Sequence, residues 1–196
     1  MRPFLYIFAI SALISCSNHP KKYKDLTDKD FQHESASVNG QKVFYKTATT
    51  ENESQKFSEL NKDDIEFMNN CRSYADSLIR LNFPDKSIKD NSAELLDLMI
   101  SRYNANKIKC SQNAFVNSVG VAFGDYLVNK LNMQWTIVED KYGRDYGTTI
   151  KEITLTNFPL NSVLKAIEQK RDSSLLSIYL INIKSITALT SEKNKN

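Results

Sequence analysis

Histidine is nearly missing from this chain of 196 residues: there are two, His19 and His33. Both precede the first strong helical pattern, in a stretch dominated by Lys, Asp, Ser, Thr and Asn. The rest of the chain therefore offers no histidine for a Ser-His or Cys-His nucleophile pair and none for a typical catalytic zinc. Glycine is scarce too, with five residues. Two of these, Gly120 and Gly124, fall inside a helical pattern, so they form no phosphate-cradling loop, and neither Gly-x-Gly-x-x-Gly nor a Walker pattern occurs. An excess of one charge is also lacking: 26 basic residues face 23 acidic ones. Nucleic-acid binding needs a clustered basic face, which this balance does not provide. The expectation is a protein without metal, cofactor, nucleic-acid partner or catalytic constellation.

What is present starts at the N-terminus. Met1-Arg2-Pro3 leads into the apolar run Phe4-Leu5-Tyr6-Ile7-Phe8-Ala9-Ile10, then Ser11-Ala12 and Leu13-Ile14-Ser15-Cys16. One basic residue, a short apolar run and a small residue before a cleavage point make a secretory signal. The run is too short for a permanent helix across about 30 Å of hydrocarbon. Leu-Ile-Ser-Cys resembles the lipobox of bacterial lipoproteins. That resemblance implies a signal over residues 1–15, cut ahead of Cys16, and acylation of Cys16 as the anchor. Two or three acyl chains, at about 0.8 kcal/mol per buried methylene, hold a protein almost permanently on a membrane. Ser17 in place of Asp, and a basic tether in place of an acidic cluster, imply the outer membrane facing the periplasm. The alternative is an ordinary secretory signal with an incidental cysteine.

Loss of Arg2 with the signal leaves 25 basic against 23 acidic residues, in one domain plus a tether. Residues 16–57 read as a lipidated, solvated tether. Within it, residues 35–46 read as a hairpin around Asn39-Gly40, which suits a type I′ turn. Two strands alone are marginal in water. A single α+β domain is expected over residues 58–190, with several helices packed on a small antiparallel sheet, and a polar tail over 191–196.

Asn61 and Asp64 suit the start of a helix, with Leu60 and Ile65 placed as a hydrophobic staple. Ile65, Met68, Cys71, Ala75, Leu78 and Ile79 then share a stripe that stops by Phe83-Pro84. A second helix starts from Asn91 or Ser92, with Glu94 placed for a capping box and Leu95, Leu96, Met99 and Tyr103 inward. The third, about Ser111 to Leu131, is apolar nearly all round and reads as the central buried helix. Gly120 and Gly124 inside it each cost about 1 kcal/mol relative to Ala, so backbone or a strand is expected to pack closely there. Trp135 to Val138 and Tyr146 to Leu155 read as strands around a turn at Lys141 to Arg144. A short helix over Ser162 to Lys170 follows, and then Ser173 to about Leu189, at helical spacing but isoleucine-rich enough to permit a strand.

The block Gly120-Val121-Ala122-Phe123-Gly124-Asp125-Tyr126-Leu127-Val128, with Met133-Gln134-Trp135 and Glu139-Asp140-Lys141-Tyr142-Gly143-Arg144-Asp145-Tyr146, resembles a bacterial family, domain of unknown function 3806. Phe158-Pro159 and Val163-Leu164-Lys165-Ala166-Ile167-Glu168 extend the likeness, which covers roughly residues 95 to 189. The resemblance implies frequent export or lipidation, and no reaction or cofactor.

Carboxylates are the remaining chemical currency. Asp125, Glu139, Asp140 and Asp145 cluster around the second strand pair, with Trp135 and Tyr142 beside them, and together make the candidate binding surface. Paired carboxylates could serve glycoside chemistry or oxygen ligation of calcium, although the turn lacks an EF-hand signature. The plainer reading is a solvated acidic turn in which Gly143 supplies a positive φ and Asp145 bonds local backbone. Trp135 is read as a core anchor against the alternative of an exposed platform. Cys71 and Cys110 are a candidate disulfide, permitted by export and contributing roughly 3 to 4 kcal/mol across a loop of about forty residues. The alternative is two separately buried thiols.

These readings point to an envelope lipoprotein without catalytic activity that binds another envelope protein. A toxin-neutralising immunity protein is one concrete form. The competing reading is a carboxylate-dependent glycan-binding or glycan-hydrolysing protein.

Overall fold

The computed structural model describes residues 7–8, 32–38, 41–47, 55–140, 143–153, 155–170 and 174–193, the first three segments as backbone. Cys16, the Asn39-Gly40 turn and Tyr142 lie outside the described residues. Two compact units are distinguished, residues 1–54 with 180–196, and residues 55–179.

In the first unit, β1 (Ile7–Phe8), β2 (Gln32–Val38) and β3 (Gln41–Thr47) form a sheet in the order β1-β3-β2. β2 and β3 pair antiparallel from Gln32↔Thr47 to Val38↔Gln41, which leaves two residues between them. β1 runs parallel to β3 through Ile7↔Tyr45.

The second unit is α+β. Its sheet has the order β4 (Lys56–Ser58), β5 (Gln134–Asp140), β6 (Gly143–Ile150), β7 (Leu155–Asn157), with every neighbour antiparallel. Helices α1 (Lys62–Asn82), α2 (Ala93–Asn104), α3 (Gln112–Leu131), α4 (Pro159–Glu168) and α5 (Ser174–Lys193) complete it, α5 contributing residues up to Tyr179. The helix continues through Ser191 to Lys193, where a polar tail was expected.

Local rules account for most boundaries. Asn61 and Asp64 exchange backbone-to-side-chain hydrogen bonds of 2.9 and 3.0 Å, a capping box that opens α1. Ser92 rather than Asn91 caps α2, so Glu94 falls at the second helical position and forms no box. Asn91 instead donates its amide to the Ala122 carbonyl. Pro159 takes the first position of α4, where its missing N–H costs nothing, so this helix begins three residues before Ser162. The strand expected over Tyr146 to Leu155 breaks at a 3₁₀ turn, Lys151–Ile153, and folds back as β7.

The core lies around α3, where Phe115, Ala122, Phe123 and Leu127 are fully buried against Leu96, Met99 and Ile100 of α2 and Leu175 of α5. Tyr103 stacks on Phe115 with ring centroids 4.2 Å apart. On α1 the stripe Met68, Cys71, Ala75, Leu78 and Ile79 faces inward, but Ile65 is 48% exposed, so it does not act as a staple. Asp64 takes the inward place one turn before Met68. Cys71 is buried, Cys110 is half-buried, and both are free thiols, so the candidate bridge is not formed. Burial pushes both thiols above their ordinary pKa, which favours the neutral S–H.

Candidate functional site

The two glycines of α3 explain how sheet and helix meet. A Cβ on Gly120 would stand 2.7 Å from the Leu160 Cα at the start of α4, and one on Gly124 would collide with Cζ2 and Cη2 of Trp135. The close approach expected from their position is therefore made by α4 backbone at one glycine and by a strand side chain at the other. One residue on, Asp125 turns its carboxylate to the same indole. Trp135 donates Nε1–H to Oδ1 at 2.9 Å, and Arg72 of α1 donates Nε–H and Nη2–H to the two oxygens at 2.7 and 2.8 Å. This bidentate pair is the strong, geometrically specific form of an ion pair. It ties α1, α3 and β5 together at a partly buried position, with side-chain exposures of 33% for Arg72 and 21% for Asp125. The hydrogen bonds that Arg72 donates to Asp125 raise the Arg72 pKa further.

A second polar knot joins α1 to the hairpin. Asp64, 4% exposed, accepts from Nη2 of Arg144 at 2.7 Å and from the Tyr146 hydroxyl at 2.8 Å. Phe67 stacks on the Tyr146 ring at 5.4 Å. Burial disfavours the Asp64 carboxylate, but Arg144, the Asn61 N–H and Tyr146 outweigh that and hold its pKa below the ordinary value.

The remaining acidic residues sit differently. Successive strand residues point to opposite faces, so Asp140, and Asp145 opposite Val138, share one face of the hairpin, while Glu139 and its partner Arg144 share the other. Glu139 is exposed, between Lys56 of β4 and Arg144 of β6 in the pairing register. Asp140 and Asp145 open onto a cleft of about 320 Å³, walled by Val138 and by Phe158 and Asn161 at the start of α4. Gly143, at φ +128°, begins β6 on its rim with Arg144. Asp145 accepts the Tyr146 N–H at 2.7 Å on Oδ1 and the Asn161 side-chain amide on Oδ2. The local backbone bond and the positive φ expected of an acidic turn are both present. Burial raises the Asp145 pKa, its two hydrogen bonds pull the other way, and Asp140 adds like-charge repulsion.

One further carboxylate had no sequence signal. Asp97, 7% exposed in the middle of α2, accepts the Leu175 and Leu176 N–H groups at 2.9 and 3.0 Å and so caps α5 from 78 residues away. Burial pushes its carboxyl up to about 6 against those hydrogen bonds.

Of the six residues proposed as a surface, then, Asp125 accepts from both Trp135 and Arg72 at a partly buried position, Glu139 is exposed on a strand, and Asp140 and Asp145 share a cleft; Tyr142 lies outside the described residues. Arg72, Asp64, Phe158 and Asn161 were not anticipated. Asp64 had a signal in its place in the capping box, and Phe158 in the Phe158-Pro159 step of the resemblance. Among the described residues, no group of three or more His, Cys, Asp or Glu side chains is arranged to hold a metal ion.

The fold is similar to that of a protein from Bacteroides thetaiotaomicron VPI-5482 known from a crystal structure: TM-score 0.54, 12% identity, 78% of this chain and 69% of that one covered. No curated protein matches the chain. Residues 95–179, from α2 to the first turns of α5, match the family model described as Domain of unknown function (DUF3806), the family that the glycine-bearing helix, the tryptophan and the acidic turn resemble; the match includes Asp125, Trp135 and the cleft, while Arg72 lies outside it.

Proposed function

We propose that this chain is a non-catalytic protein-binding module of the bacterial envelope, anchored by acylated Cys16 and engaging another envelope protein through the cleft beside α4. The observation that carries the reading is how the acidic side chains are used. Asp125 and Asp64 are bound to arginines and to ring donors within the fold. Asp145 instead accepts neutral amide donors, the Tyr146 N–H and the Asn161 side chain, and lines a cleft at the surface of the sheet. The envelope part rests on the signal and the Leu-Ile-Ser-Cys16 sequence, with an outer-membrane, periplasm-facing site implied by Ser17 and the basic tether. Among the described residues no helix is long and apolar enough to cross a membrane, so on this reading the lipid alone holds the protein there. Cleavage ahead of Cys16 also removes β1, which leaves β2 and β3 as a two-stranded hairpin. An immunity protein against a toxin delivered into the periplasm is the form that best suits a small anchored binder.

Affinity capture of the tagged, lipidated protein from cross-linked envelopes, read by mass spectrometry, tests this. One near-stoichiometric protein partner is expected, and recovery of none overturns the reading. Cys16→Ser should move the protein to the soluble fraction; persistence on membranes refutes the anchor. A second reading, a glycan-binding or glycan-hydrolysing protein, is favoured by one observation: two carboxylates and an aromatic ring, Asp140, Asp145 and Phe158, line a single cleft. Binding or turnover of envelope polysaccharide, lost in Asp145→Asn, would replace the first reading with this one.

A further inference from the structure

We propose that α5 is an arm latched onto α2 by Asp97, and that the proton on this buried carboxyl sets how firmly the arm is held. This holds whether or not the cleft binds a partner. Asp97 sits in the middle of α2, 7% exposed, and meets the start of α5 across the fold. Its Oδ1 accepts the Leu175 N–H at 2.9 Å and its Oδ2 the Leu176 N–H at 3.0 Å, and the Ser174 N–H bears on it too. The first N–H groups of a helix have no partner within that helix, so another element supplies the cap. Leu175 is the fully buried apolar side chain at this end of α5, while Leu176, Ile178 and Tyr179 are half-buried against the core. The connection into the arm is short: α4 closes at Glu168, Lys170 takes a left-handed φ of +47°, and α5 starts at Ser174. That conformation is unfavourable for a residue with a Cβ and persists where the surrounding structure holds it.

The surroundings of Asp97 make its charge costly. Among the described residues it forms no ion pair, and Glu94, one turn earlier on α2, adds like-charge repulsion. Arg102 of the same helix is turned to the Asn82 carbonyl, at 2.8 Å, and lies over the Phe83 ring. Tyr126 of α3 and Tyr179 of α5 pack ring against ring with centroids 5.0 Å apart, and burial keeps the Tyr126 phenol neutral, pushed up to about 12. Lys130 of α3 and Lys165 and Glu168 of α4 are exposed to solvent; Arg171 and Asp172 lie outside the described residues. Burial outweighs the N–H donors and carries the Asp97 carboxyl up to about 6. Released into water, the same group returns to about 3.9. The docked arm therefore binds the proton more tightly than the released arm. Its hold is strongest below about pH 4 and weakens as pH rises through 6. Above that midpoint the arm opens more often, uncovering Leu175 and the face of α2 beside Asp97.

Amide hydrogen exchange of the full-length, isotopically labelled protein in detergent micelles tests the latch. Leu175, Leu176 and Tyr179 are expected to share one protection, lower than that of Phe123 and Leu127 in α3, because the arm opens without the core. Corrected for the intrinsic exchange rate, that protection should fall about tenfold from pH 5 to pH 7.5. Asp97→Asn, which carries no titrating proton, should remove the dependence. Protection at the three amides equal to that of α3, protection independent of pH, or the same dependence in Asp97→Asn overturns the proposal. Should Asp97→Asn fail to fold, the wild-type protein decides through the carbon-13 shift of the Asp97 carboxyl. A midpoint of about 6 is expected there, and one of about 4, the ordinary carboxylate value, overturns the latch. Arg171→Gln is the control for the connection. It should keep the tenfold change; loss of that change would assign the dependence to another charge and overturn the role of Asp97.

Discussion

Asp125 and Asp145 are both acidic, both half-shielded from solvent and both set beside the same sheet, yet they serve different ends. Asp125 meets a guanidinium fork and an indole N–H, so its oxygens are occupied by partners from α1 and β5. Asp145 meets a neighbouring amide N–H and the Asn161 side chain, while a like charge, Asp140, shares its face of the strand pair. The first arrangement closes a joint between elements. The second places a carboxylate held by amide donors at the wall of a cleft. A carboxylate therefore reads as structure or as site according to what neutralises it, not according to its residue type or its exposure.

The contrast can be broken at the joint first. Gly120→Ala should be the most damaging change, because its Cβ would meet the backbone of Leu160, which cannot rotate aside. A loss of about 2–3 kcal/mol in urea unfolding is expected, net of the helix-propensity gain; a neutral or stabilised variant refutes the packing. Asp125→Ala should cost about 1–3 kcal/mol by leaving Arg72 and the indole N–H unpaired. Trp135, the sole tryptophan, reports it directly, and an unchanged fluorescence maximum would show that the bond is dispensable.

Two buried carboxylates sharpen the comparison through pH. Asp97 is raised to about 6 in the folded state, so between its unfolded value and that midpoint the folded protein holds the extra proton. Its contribution is present below about pH 4 and is lost as pH rises through 6, on the order of 3 kcal/mol at most. Asp64 runs oppositely: its lowered pKa contributes stability above the ordinary carboxylate range, which is lost as pH falls through the folded value. Melts from pH 3 to 8 should show Asp97→Asn flattening the upper part of the profile and Asp64→Asn the acid limb; identical profiles for both variants would show that neither group is linked to folding. Glu139→Ala, on the exposed strand between Lys56 and Arg144, should change stability by less than about 0.5 kcal/mol. A larger loss there would mean the sheet surface carries more than exposed pairing.

Much of the fold was legible because it is local. The α1 capping box, the inward stripe of Met68 to Ile79 and the all-round apolar α3 follow from spacing, and the positive φ of Gly143 from its backbone freedom. The glycine pair announced a close approach without naming what approached. Three features escaped for the same reason. Ile65 looks inward by periodicity, but Asp64, paired with Arg144 80 residues on, takes that place instead. β4 is three residues long and carries too little pattern to be recognised outside its pairing with β5. Asp97 reads as a solvent-facing helix residue until α5 lays its first N–H groups on it.

By itself, the sequence determined the capping box of α1, the span of α3, the α+β class and the likeness to the 3806 family, because each is carried by residue spacing along the chain. Only the tertiary structure decided which carboxylates are bound to arginines and which line a cleft. The partners that neutralise a charge come from 53 residues away at Asp125 and 80 at Asp64, and long-range proximity leaves no periodic trace in the chain.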